Sequence, residues 1–281
     1  MPDNPNQLRD PVSGRYGHAI YRKDKVEIPS SGADSVVSKL ARIGEGAYIS
    51  KSRMGDSSVG SWTKIIHSNI GNYTVVGDNS FVFESDLTSS NEIGNDSSII
   101  ASKLDANRGH IELHDHVSIS ASEIGASVFA NQYTTIQSSK IDRLCEFAGH
   151  SIIANAEIGE DSHFGELCNI QGAIIYRDAR IGDNVTIMQD SVLMDSVAVG
   201  DRSYIGTQVE LADHVIADRD VTIGAHSRIG RYTRIEDGVS VGVEAVIGEG
   251  VILRKGCIVE DGARVPAGTT VGSGETFYSR T

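Results

Sequence analysis

From residue 175 to residue 271 an aliphatic side chain returns at every sixth position: Ile175, Ile181, Ile187, Leu193, Val199, Ile205, and onward to Val265 and Val271. Seventeen consecutive positions hold only Ile, Leu, Val and a single Ala, Ala217. The residue two before each is small, as at Ala173, Ala179, Val185, Ser191, Val197 and Ser203, and the residue after is often glycine, as at Gly182, Gly200, Gly206 and Gly224. A helix repeats every 3.6 residues and a plain strand every two, so neither gives this period. Six requires a short strand whose positions i−2 and i point the same way, followed by a sharp turn. Three such units closing on themselves make one coil. Coils stacked at about 4.8 Å then bury one continuous apolar column.

The first half follows a variant. Between Ile124 and Ile175 the inward positions are Ile124, Ala130, Ile136, Ile141, Phe147, Ile153, Ile158, Phe164, Ile170 and Ile175, in steps of six, six and five. One corner of each coil is therefore a residue shorter. The same rhythm links Ile70, Val76, Val82, Leu87, Ile93, Ile99 and Leu104, while between Met54 and Ile65 the register is open. One step, Leu104 to Leu113, is nine, which places an insertion of about three residues within DANRGH. The chain reads as all-β with little or no helix. Residues 1–36 form a non-repeating N-terminal cap, 37–272 a single parallel β-helix of about 13–14 triangular coils, and 273–281 a short tail.

This pattern resembles the hexapeptide repeat of the left-handed parallel β-helix superfamily, from about residue 37 onward. The left hand is implied by that resemblance alone, since generic crossover rules favour the other. DSVLMDSVAVGDRSYIG (190–206) and RVPAGTTVG (264–272) are similar to the C-terminal β-helix of sugar-nucleotide pyrophosphorylases, ADP-glucose pyrophosphorylase among them. Their chemistry sits in an N-terminal nucleotidyltransferase domain, for which the 36 residues before the repeat are expected to be too few. That likeness implies a non-catalytic scaffold, or a regulatory or partner subunit.

Charge narrows the partners. With 25 basic against 38 acidic residues and no basic run, nucleic acid and anionic membranes are poor ligands. The N-terminus lacks an apolar signal region and no stretch approaches eighteen apolar residues, so a cytoplasmic protein is expected. Cys145, Cys168 and Cys257 each fall two before an inward residue, the small interior slot, and read as inert core thiols.

The chemical candidates are histidines. RGHIELHDHVSIS (108–120) holds His110, His114 and His116, and one face continues from it. Inward residues Leu113, Ala130, Phe147 and Phe164 are preceded by Glu112, Phe129, Glu146 and His163, and the next corner column reads His116, Tyr133, His150, Leu167. Many hexapeptide β-helix proteins are acyltransferases that use a histidine base in clefts between the subunits of a trimer. The resemblance thus implies transfer of an acyl group from coenzyme A or acyl carrier protein to a hydroxyl or amine of a small, sugar-linked acceptor. On this reading His116, His150 or His163 is the base with Glu146 as its orienting carboxylate, and Arg108, His110, His114 and Tyr133 bind substrate. Coenzyme A enters as a co-substrate, no cofactor is firmly bound, and a homotrimer is expected.

No metal site is assigned, because His116 and His150 would lie two coils apart, about 9–10 Å. Arg177–Asp178 and Gln189–Asp190 are similar to γ-class carbonic anhydrases, a third reading. Met194 and Asp195 stand where that family needs a ligand histidine.

Overall fold

The computed structural model describes residues 35–38, 40–107 and 109–278. All regular structure among them is strand, two or three residues long, from Val36–Val37 to Thr276–Phe277. The expected N-terminal cap lies almost entirely outside the described residues. Two compact units divide the chain after Gln137, and each is a parallel β-solenoid, with six turns in the first and eight in the second.

In each unit a turn contributes one strand to each of three parallel sheets. The first face of unit one includes Arg53–Met54 and Asn69–Ile70. The second includes Asn91–Ile93, Ile111–Leu113 and Phe129–Ala130, and the third Phe81–Phe83 and Ser98–Ile100. Register follows the repeat. Ile65, Val82 and Ile99 pair in steps of seventeen, Ile99 pairs Ile119 across the insertion, and Ile187, Ile205 and Ile223 pair in steps of eighteen in unit two. All seventeen inward positions from Ile175 to Val271 are at most 4 % exposed. Burial of each such side chain contributes roughly 1.5–3 kcal/mol. The open register resolves as Met54, Val59 and Ile65, all buried, so this coil carries a second five-residue step.

Corners set the backbone. Thirty non-glycine residues among those described have φ between 48° and 65°, and nearly every corner holds a left-handed residue. For an L-residue this costs about 1–2 kcal/mol, least for Asn, Asp and His. In the last turns glycine takes over, at Gly250, Gly256, Gly262, Gly268 and Gly274.

The shortened corner of unit one carries a buried serine column: Ser52, Ser68, Ser85, Ser102 and Ser122. Each backbone N–H donates to the hydroxyl one coil earlier at 3.1–3.2 Å, from Ser68 onto Ser52 through to Ser122 onto Ser102. Each hydroxyl donates in turn to the carbonyl two residues before it at 2.7–2.8 Å. The same bond recurs at full-length corners lined by Ser or Thr, as from Ser80 N–H onto Thr63 Oγ1 and from Val209 N–H onto Ser191 Oγ, both at 3.2 Å. In unit two the cysteines fill the same slot, two before an inward residue, at the other two corners. Burial raises their thiols, Cys145 to about 12 and Cys168 and Cys257 to about 11.

Ser85→Ala leaves the buried Ser102 N–H without its acceptor and should lower stability by about 1–3 kcal/mol in urea unfolding. A loss below about 0.5 kcal/mol would show that the column stabilises nothing.

Candidate functional site

Coil stacking explains the glycines that follow inward residues. On the second face a Cβ built at Gly60, Gly77 or Gly94 would lie 2.3–2.7 Å from the side-chain oxygen of Asp78, Asn95 or Asp115 on the next coil. That oxygen accepts the N–H of the residue after the glycine: Ser61 onto Asp78 at 2.6 Å, Asp78 onto Asn95 at 2.7 Å, Asn95 onto Asp115 at 2.7 Å. Glycine and the Asp/Asn cap therefore form one device. Ligand approach is not its purpose.

Three irregularities of unit one gather around the strand Ile111–Leu113. The insertion at 105–110 precedes it. His114 and, one coil on, Asn131 occupy the glycine slot. Asn91, the register partner of Ile111, has the one buried side-chain polar atom without a hydrogen-bond partner among the described residues, its Oδ1. These features fall on three successive coils around the strand, and in unit two the same slot is also held by residues other than glycine, at Ala148, Asp218, Glu236 and Arg254.

The side chains there make two imidazole–carboxylate pairs. His114 Nε2 lies 3.0 Å from Glu112 Oε1 and His110 Nε2 lies 3.7 Å from Glu92 Oε2, while Glu92 and Glu112 are register partners on adjacent strands. An ionised carboxylate only accepts, so the Glu112 contact places the neutral ring's proton on Nε2 and leaves Nδ1 as the basic nitrogen. Phe129 packs edge-on against the His114 ring, centroids 4.8 Å apart. The His114 side chain is 37 % exposed, partly shielded yet reachable.

The other expected site residues take different environments. Arg108 lies outside the described residues. His116 and Tyr133 are corner residues with φ of 60°, their rings stacked at 4.7 Å. In unit two His150 is also a corner residue, φ 61°. With His67, His214 and His226, five of the eight described histidines hold left-handed corners, a position for which histidine is intrinsically suited.

His163 has Nε2 3.5 Å from Glu146 Oε2, while Nδ1 faces Arg180 Nη1 at 2.7 Å, and Arg180 also donates to the Asp161 carbonyl. A guanidinium only donates, so Nδ1 accepts from it and both ring nitrogens are engaged. This histidine borders a groove of about 650 Å³ floored by Gly165, Gly182, Ala198 and Gly200.

Glu92, Asp161 and Arg180 were not singled out from sequence. Aligning coils across the three-residue insertion brings Glu92 level with Glu112 and would have revealed the first. Among the described residues no three His, Cys, Asp or Glu side chains converge as a metal requires. Asp195, where a carbonic-anhydrase-like ligand would be needed, is paired with Arg177 at 3.0 Å.

Residues 178–213 match the family model described as bacterial transferase hexapeptide (six repeats). Over those residues the chain is similar to this repeat family, and each unit is a parallel β-solenoid. Two curated relatives, both bifunctional protein GlmU, share part of it. The one from Geotalea uraniireducens (strain Rf4) is 32 % identical over 85 residues, 28 % of this chain and 19 % of its own. That from Baumannia cicadellinicola subsp. Homalodisca coagulata is 30 % identical over 100 residues, 34 % and 21 %. The chain thus spans about a fifth of the length of these relatives. Among solved structures, GDP-perosamine N-acetyl transferase from Caulobacter crescentus, in complex with CoA and GDP-perosamine, is 27 % identical over 37 % of this chain and 47 % of that one, with a TM-score of 0.28.

If His116 serves its corner rather than chemistry, His116→Asn should leave the melting temperature unchanged. His116→Val, β-branched at φ 60°, should cost about 1–3 kcal/mol. A destabilised Asn variant would contradict the corner role.

Proposed function

We propose that this protein is a hexapeptide-repeat acyltransferase. It moves an acyl group from coenzyme A or acyl carrier protein to a hydroxyl or amine of a small, sugar-linked acceptor. The observation that carries the reading is the His114–Glu112 pair at 3.0 Å, on the strand where the irregularities of unit one gather. The match of 178–213 to a transferase repeat family supports the class.

His114 is the general base through Nδ1, and Glu112 fixes its tautomer and stabilises the imidazolium. His163 and Glu146 form a second, more engaged pair beside the unit-two groove. His116, His150 and Tyr133 hold corners, and His110 with Glu92 flanks the acceptor. Arg108 belongs to the same insertion. A homotrimer supplies the cleft, and coenzyme A is a co-substrate.

A second reading, a non-catalytic scaffold related to the β-helix of sugar-nucleotide pyrophosphorylases, is favoured by one fact. Most described histidines have a backbone role.

A thermal melt separates the two. Acyl transfer predicts stabilisation by millimolar coenzyme A or acetyl-coenzyme A, and no shift argues for the scaffold. Where thiol release shows turnover, His114→Ala should lower kcat by about 10²–10⁴-fold and Glu112→Gln by less, with melting temperatures held. An unchanged kcat in His114→Ala would overturn the assignment of the base.

A further inference from the structure

The first coils of unit two carry a groove of about 660 Å³ that the acyl-transfer site does not use. It lies where the strands Lys140–Ile141, Glu157–Ile158 and Ile174–Ile175 stack, at the corner that follows them. The residue after the inward position on these coils is Asp142, then Gly159, then Tyr176. Gly159 brings no side chain, and the Tyr176 ring on the next coil stays 47 % exposed, next to Ile174 at 42 %. An apolar shelf thus stands over a glycine floor.

Two kinds of polar group surround the shelf. Glu160 is tied to Arg143 at 2.6 Å and Asp195 to Arg177 at 3.0 Å, so the rims are neutral ion pairs. Lys140, Glu157 and the Tyr176 hydroxyl make no side-chain hydrogen bond or ion pair among the described residues. Yet Lys140 and Glu157 are register partners of opposite charge. On the same sheet Glu210 and Arg228 stand in the same relation and meet at 3.8 Å. The groove therefore presents an aromatic face with a donor and an acceptor both held open.

These properties select the ligand. A phosphate would meet the Asp142 and Glu157 carboxylates against one ammonium, Lys140. A wholly apolar ligand would bury those charges without partners, which is costly. An uncharged molecule with one C–H-rich face and a polar edge fits, and a pyranose ring is such a molecule. Its polarised C–H bonds meet the negative face of the aromatic ring, while neighbouring hydroxyls donate to Glu157 and accept from Lys140. We propose that this groove is a saccharide-binding site. It lies on a different sheet from His114, in the other unit, and does not depend on the acyl-transfer reading.

A titration of the isotope-labelled protein with neutral monosaccharides and linear oligosaccharides, followed by amide NMR, tests this. Millimolar saccharide should shift amides within 140–142, 157–160 and 174–177 and leave His114 unmoved. Tyr176→Ala should weaken binding by about tenfold or more and Glu157→Gln by about threefold to tenfold, while Tyr176→Phe keeps the platform and stays within about threefold. Melting temperatures should hold, because these side chains are exposed. No shift with any saccharide, or binding that survives Tyr176→Ala, would overturn the proposal. Shifts of the same amides with protein concentration alone would assign the shelf to a second copy and overturn it too. None of these outcomes bears on acyl transfer, which thiol release tests separately.

Discussion

Close approach of successive coils is the constraint on which everything else rests. Parallel strands lie about 4.8 Å apart, and in a solenoid that spacing must hold at the corners as well as along the faces. A corner backbone therefore presses on the corner of the next coil. Gly44 shows the consequence, since a Cβ there would meet the Gly60 carbonyl carbon at 2.5 Å. The same pressure selects left-handed corner residues, and it brings a serine column together at the shortened corner of unit one, where each hydroxyl accepts the amide of the next coil.

The two units hold their surface charge differently. Unit two ties carboxylates to arginine across coils, as in Arg202–Asp220 at 2.7 Å and Arg231–Asp213 at 3.0 Å. These pairs are exposed and contribute little individually. Arg202 holds the Asp220 carboxyl below its usual range, by hydrogen bond first and charge second, so this pairing is complete above the ordinary carboxylate pKa and is lost as pH falls through the lowered one. Unit one has the Lys103–Asp105 pair at 3.1 Å and pairs Glu84, Glu92 and Glu112 with His67, His110 and His114. An imidazole is a weak structural counter-ion but a usable base, and one of the three sits beside the strand Ile111–Leu113.

Period and phase made the core legible. Every inward residue from Ile70 onward could be named from the six- and five-residue steps, because an interior column tolerates only aliphatic or aromatic side chains of the right size. The short step from Met54 to Val59 escaped, since the neighbouring apolar residues Ile65 and Ile66 allow two phases. The site was harder. His116 and His150 fall in a column that looks catalytic, yet the column's common property is its backbone angle, which a residue's spacing does not reveal. His114 and Glu112 were placed as outward neighbours of Leu113, but their 3.0 Å contact depends on rotamers. The engagement of His163 by Arg180 depends on a register seventeen residues wide. The clearest signal was available and easily passed over: His114 stands where Gly60, Gly77 and Gly94 stand in the preceding coils.

The central claim is that chemistry occurs at the strand Ile111–Leu113. The most direct measurement is a crystal structure with coenzyme A bound. The sulfur is predicted within about 3–3.5 Å of His114 Nδ1. A sulfur seated in the unit-two groove beside His163, with His114 facing open solvent in every assembly, would contradict it.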